Sequence, residues 1–317
     1  MLISLAIGRY PLPLSDIVKI LWYRLWGYTG LFPDTYEVIV WDIRLPRALL
    51  GVFVGAALAV SGTAFQGLFR NPLVSSGTLG VSAGAGFGAS LAIVLFNNTA
   101  LVYVFAFAFG VLAVVLSYLI GRFYNAMPTI TLVLGGIIVS SVFSALVSLV
   151  KYIADPYEQL PAIVFWLMGS LASARYSDLM VAGFPMAAGM AGLYAVRWQI
   201  NVLSMGEREA RALGVNTTTA KGLVLACATM ATAGAVCVSG IIGWVGLVIP
   251  HIGRMLIGND HKLLVPVSIS LGACFLLLVD LLARTVSGSE IPLSILTSLL
   301  GGPFFVYLLK KTKGGGW

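Results

Sequence analysis

The chain has 317 residues, of which 59% are hydrophobic and only 10% charged, where a water-soluble domain carries about 25% charged residues. So few charges cannot clothe a water-facing surface, which excludes a soluble enzyme or binding module and makes lipid the solvent over most of the chain. The 19 Lys and Arg against 12 Asp and Glu, a net charge of +7, then fit loops facing anionic headgroups and argue against a nucleic-acid partner.

Residues 1–8 are apolar but end at Arg9, too short for a span and without the basic start of a signal peptide; they read as the end of a helix. Runs free of Asp, Glu, Lys and Arg mark the spans, since about 20 apolar residues cross a core of about 30 Å. They fall at 48–69; at 71–121, long enough for two helices with Asn97-Asn98 as the turn; and at 123–150, 179–196, 222–253, 263–279 and 291–309. The run 222–253 divides into a full helix, a break at Gly240, Gly243 and Gly246, and a short helix around Pro250. Residues 159–174 are too few to span and predict a partial helix dipping into the outer leaflet. The sum is about nine helices in an all-α, polytopic bundle forming one domain over 1–317.

Placing Asn71 at the cytoplasmic side puts most basic residues inside, including Arg70, Arg122, Arg197, Arg254 and Lys310, in keeping with the positive-inside rule. Most acids then lie outside, including Asp34, Glu37, Asp42, Asp155, Glu158, Asp178 and Glu290. The polar stretch 201–216 is the one sizeable cytoplasmic loop of this arrangement. Glu207, Arg208, Glu209 and Arg211 with Leu203, Ala210 and Leu213 read as a short amphipathic helix ending at Gly214, either a docking surface or a helix resting on headgroups.

Gly80, Gly84 and Gly88 recur every four residues, the small-xxx-small spacing that lets helix backbones approach in lipid. Gly80 to Gly84 also matches Gly-x-Ser-x-Gly around Ser82, the setting of a nucleophilic serine, but only His251 and His261 are available as bases. Asp280 lies in an apolar stretch four residues before Arg284, so the two share a helix face and can pair; an acid at membrane depth also fits the ion site of a gradient-driven carrier. No Gly-x-x-x-x-Gly-Lys-[Ser/Thr] occurs, so ATP-driven work has to come from a partner. Cys227, Cys237 and Cys274 sit in apolar runs without metal or disulfide spacing and read as packing residues.

The chain resembles the permease subunit of the ABC importers for iron-siderophores, haem and cobalamin, from about Gly8 to Lys311. The resemblance rests on Arg44-Leu45-Pro46-Arg47, on Gly55-Ala56-Ala57-Leu58-Ala59-Val60-Ser61-Gly62 with Gln66, on Arg70-Asn71-Pro72-Leu73 followed by Leu79-Gly80, and on Glu290-Ile291-Pro292 with Gly301-Gly302-Pro303-Phe304-Phe305. It implies a ten-helix subunit of the inner (cytoplasmic) membrane, with the first helix reduced here to its last two turns. It also implies a homodimer with the pathway on its axis, two ATP-binding subunits that hold ATP and Mg, and a substrate-binding protein outside. By position, Arg44, Arg47 and Arg284 would meet glutamates of the binding protein, forked guanidiniums suiting carboxylates. The loop from Leu203 through Glu207, Arg208, Ala210, Arg211 and Leu213 to Gly214 would couple to the ATPase, and Leu73, Thr129 and Ile130 would form the cytoplasmic gate. No cofactor or metal is implied in this chain. The expected cargo is a metal chelate, a ferric siderophore first, with haem, cobalamin or molybdate as alternatives. From other classes, a gradient-driven secondary transporter and an intramembrane serine protease using Ser82 remain open.

Overall fold

A computed structural model describes residues 1–8, 10–75, 77–122 and 129–311. The helices are α1 (Leu2–Ala6), α2 (Leu14–Leu25), α3 (Asp34–Glu37), α4 (Leu45–Phe69), α5 (Val81–Phe96), α6 (Thr99–Arg122), α7 (Thr129–Ile153), α8 (Gln159–Met168), α9 (Tyr176–Ala195), α10 (Arg197–Met205), α11 (Glu207–Ala212), α12 (Thr217–Ser239), α13 (Val245–Ile257), α14 (His261–Thr285) and α15 (Leu293–Lys311). Among the described residues, six continuous helices are long and apolar enough to cross a bilayer, and α5, α8, α13 and α15 add shorter apolar pieces.

The expected spans are present, but the helix placed at 48–69 begins much earlier. α3 runs through a π-helical turn (Val38–Arg44) directly into α4, a continuous 36-residue helix from Asp34 to Phe69. It can carry Arg44 and Arg47 inward because both charges are met internally, as described below. α2 was not foreseen either. It buries Ile17 and Ile20 against α1, the π-turn and Leu277, while Trp22 and Trp26 are exposed, the amphipathic arrangement expected at a membrane interface.

Small residues allow the bundle to close. α4 is buried along nearly its whole length and packs on α14, α12, α9 and α13. At the α4–α14 crossing Gly55 and Gly272 face each other: a Cβ on either would overlap the other's carbonyl. A Cβ on Gly62 would strike the Gly246 backbone of α13. Gly246 therefore serves a helix crossing and not the break, which spans 240–244 and turns through positive φ at Gly240 and Trp244, both 68°. Gly84 and Gly88 lie against the carbonyls of Phe109 and Phe105 on α6, as the four-residue spacing predicts. Gly80 acts differently, at a φ of 88° in the turn before α5, a conformation that favours glycine.

α8 stops at Gly169, whose φ is 68°, and is stitched to the break. The Ser170 amide donates to Ser239 O (2.8 Å) and the Leu293 amide to Gly169 O (3.0 Å). The partial helix, the break and the start of α15 thus share one knot of backbone bonds.

Candidate functional site

At one end of the bundle, five charged side chains from four segments converge. Arg47 lies one helical turn inside α4 with its side chain 9% exposed. Its Nε donates to Asp280 Oδ1 (2.9 Å), and its two Nη atoms form a fork on Glu290 at 2.7 and 2.9 Å. Asp280, 1% exposed, is also 3.5 Å from Arg284 Nε. The expected i, i+4 pair therefore exists, but Arg47 is the closer partner, at 2.8 Å between Nη2 and Oδ1. Arg284 turns its Nη2 to the carbonyl and, at 2.8 Å, the hydroxyl of Ser4. Arg44 donates to Leu5 O (2.5 Å), Ala6 O (3.3 Å) and Tyr10 O (2.5 Å).

The physical reason is the low dielectric. A buried guanidinium is tolerated only when carboxylates or carbonyls take its protons, and the carbonyl end of α1 is a ready source of acceptors. The three arginines expected to meet the binding protein lie together, yet each is buried and engaged within the chain. Glu290, expected from the sequence as an outer acid and part of a motif, is a member of the cluster.

At the opposite end, the single amphipathic helix expected here is two, α10, which carries Leu203, and α11, parted at Gly206 with φ 139°. Leu203 and Ala210 are buried and hold this loop to the bundle; Arg208, Arg211, Leu213 and Gly214 are exposed. Glu207 forms an ion pair with Lys221 at the start of α12 and lies 3.5 Å from Arg211. The chain leaves this loop at Gly214, φ 77°, and re-enters a helix capped by Asn216, which accepts from the Thr219 amide. The result is a small ledge that exposes Arg208, Glu209, Arg211 and Leu213.

Of the gate residues, Leu73 and Ile130 are both exposed. Leu73 sits in a turn fixed by its amide donating to Asn71 Oδ1 (2.9 Å); the Thr129 side chain lies outside the described residues. α7 leaves one face open, carrying Leu134, Ile137, Ile138 and Val142 with Ser141, Ser144 and Ser148. Ser141 and Ser148 turn their hydroxyls back to Ile137 O and Ser144 O, both at 3.0 Å. Such a face is largely apolar and offers a passing solute few free donors.

The serine-nucleophile expectation finds no support. The His251 ring packs beside Phe304 and Phe305 and the His261 ring lies against Gly67; no hydrogen bond joins either to Ser82 among the described residues. No group of three or more His, Cys, Asp or Glu is placed to hold a metal there, and all three cysteines are free thiols.

These features are those of a polytopic membrane protein: an apolar bundle with an ion-paired cluster at one end and a polar ledge at the other. The chain matches the FecCD transport family over residues 1–311 and belongs to that family; it is a permease subunit of an ABC importer. It is 44% identical to the molybdate import system permease protein of Haemophilus influenzae, covering 99% of this chain and 93% of that protein. It is 41% identical to the hemin transport system permease protein of Yersinia pestis, over 86% of this chain and 84% of that one. A solved inward-facing structure described as a metal-chelate type ABC transporter superimposes with a TM-score of 0.87 at 40% identity, covering 98% of this chain and 94% of that one. Family membership removes the gradient-driven carrier and the protease as readings.

Proposed function

We propose that this permease works as a homodimer, with two ATP-binding subunits on the α10–α11 ledge and a substrate-binding protein at the arginine end, and that it passes a metal chelate, a ferric siderophore first, across the inner membrane. The observation that carries the reading is the ledge: it is anchored by buried Leu203 and Ala210, locked to α12 through Glu207 and Lys221, and exposes Arg208, Arg211 and Leu213 to a partner. A push on such a ledge is transmitted to α12 and through it to α9, α4 and α6. ATP and Mg belong to that partner. The open face of α7 supports a pathway wall on the dimer axis, with Leu73 and Ile130 closing its inner end.

Molybdate is the second reading, favoured by the relative from Haemophilus influenzae and its near-complete coverage. Cobalamin and haem follow from more partial likenesses.

The test is purification of the tagged chain from its native membrane in mild detergent. An ATP-binding subunit in equal copy number, lost on replacing Leu213 and Arg208 by acidic residues, supports the coupling reading; a chain that purifies alone from a host expressing such subunits removes it. ATP-dependent uptake of labelled ferric siderophore or of labelled molybdate into vesicles, with the matching binding protein, then decides the cargo.

A further inference from the structure

Between the ends of α4, α10 and α13 and the start of α14 lies an open cleft of about 400 Å3. Arg70, Arg254, His251 and His261 line it, together with the amides of Gln66 and Asn71, and no carboxylate does. The Asp260 carboxylate nearby is turned to the Lys262 amide (2.9 Å) as the cap of α14.

Two observations make this more than a polar dent. Arg254 has no ion pair among the described residues; it donates to Gln66 Oε1, an amide oxygen directed to it because Gln66 Nε2 is spent on Gly246 O (3.2 Å). His261 is 5% exposed, and neither of its ring nitrogens completes a hydrogen bond, with the Asn259 backbone close by. A half-buried guanidinium without a counter-charge and a buried imidazole whose ring nitrogens complete no hydrogen bond are both costly in a low-dielectric setting. Gly67 has no Cβ, and one placed there would come within 2.6 Å of His261 Nε2. The wall is thus shaped to admit the imidazole. The carbonyl ends that would repel an anion are already occupied, Gln66 O and Gly67 O by the amides of Asn71 and Arg70, and Arg254 O by that of Gly258.

We propose that this cleft binds a tetrahedral oxyanion, a phosphate group held by Arg254, Arg70 and His261. Guanidinium forks and N–H donors match such an anion and supply the missing counter-charge. The phosphate is either free or the headgroup of an anionic lipid, since the cleft opens at the end of the bundle that carries the ledge. A bound anion there would tie α4, α13 and α14 together beside the coupling loop.

The experiment uses the full chain in a phosphate-free maltoside detergent, with two probes: radiolabelled orthophosphate in equilibrium dialysis, and native mass spectrometry for retained phospholipid. Orthophosphate bound in a one-to-one ratio, competed by molybdate and weakened at least about tenfold by R254Q, identifies a free-anion site. Phospholipid retained by the wild type and stripped from R254Q identifies a headgroup site. R70Q, at an exposed position, gives a second reading should R254Q fail to fold, and weakens whichever ligand is present. Neither probe bound, or equal binding by wild type, R254Q and R70Q, overturns the proposal. So does a probe that binds the chain alone but is expelled when the ATPase subunit is added, which makes the cleft the seat of an ATPase side chain.

Discussion

Replacing Arg47 by Gln tests the ion cluster most directly. The substitution leaves Asp280, whose side chain is 1% exposed, with only Arg284 at 3.5 Å, and takes the fork from Glu290. Removing one member of a buried pair costs about 3–5 kcal/mol because the charge left behind is uncompensated. D280N behaves differently: Arg47 keeps its fork on Glu290 and Arg284 keeps Ser4, so the loss is nearer the roughly 1–3 kcal/mol of an unsatisfied buried polar group. The double variant R47Q/D280N removes both charges and is expected to unfold later than R47Q alone. With about 2–4 °C per kcal/mol for domains of 150–250 residues, R47Q is expected to lower the unfolding midpoint by about 6–20 °C. The assay is thermal unfolding of the purified chain, followed by intrinsic fluorescence and by the monodisperse fraction on size exclusion. A midpoint for R47Q within about 2 °C of wild type, or a double variant as unstable as the sum of the singles, would refute the account of Asp280 as a charge held by Arg47.

Glu290 is the more exposed anion of the cluster, at 34% for its side chain, so E290Q frees the Arg47 fork while Asp280 stays paired. Binding-protein affinity at low salt is expected to rise, and an unchanged affinity in surface-plasmon measurements removes Arg47 from the docking surface. G55L drives a side chain into the Gly272 carbonyl, whereas G183L enters open space; overpacking costs about 1–3 kcal/mol or more, so G55L is expected to lose most monodisperse protein in size-exclusion chromatography and G183L to match wild type. Replacing Ser141, Ser144 and Ser148 together by Ala leaves the thermal midpoint within about 2 °C, these being exposed positions where substitutions have small effects. It changes the rate of ATP-dependent uptake in vesicles if α7 lines the pathway; an unchanged rate moves the pathway elsewhere.

The spans, the break after α12, the short α8 and the α10–α11 loop were legible because each is a local pattern: a charge-free run, a glycine cluster, an amphipathic hexamer. The Gly84 and Gly88 contacts were legible for the same reason, one face of one helix. Other features depend on distance along the chain. Asp280 and Arg284 pair on spacing because they are four residues apart, but the closer partner, Arg47, is 233 residues away. The helix start at Asp34 was hidden by Asp42, Arg44 and Arg47, charges that read as a loop until their partners are known. His251 and His261 are the only histidines of the sequence, but the cleft they share with Arg70 and Arg254 is made by four segments meeting, which no spacing reveals.

The partners of Arg44 and Arg47 are also separated in time. Arg44 bonds to Leu5, Ala6 and Tyr10, all synthesised before it, so it can be satisfied as soon as its turn forms. Arg47 waits for Asp280 and Glu290, 233 and 243 residues later, which at about 5–20 residues per second is roughly 10–50 s of synthesis. Throughout that interval a charged side chain near the start of the first long helix has no permanent counter-ion. Insertion of this chain is therefore a problem of keeping one arginine hydrated at the membrane edge until the penultimate helix arrives.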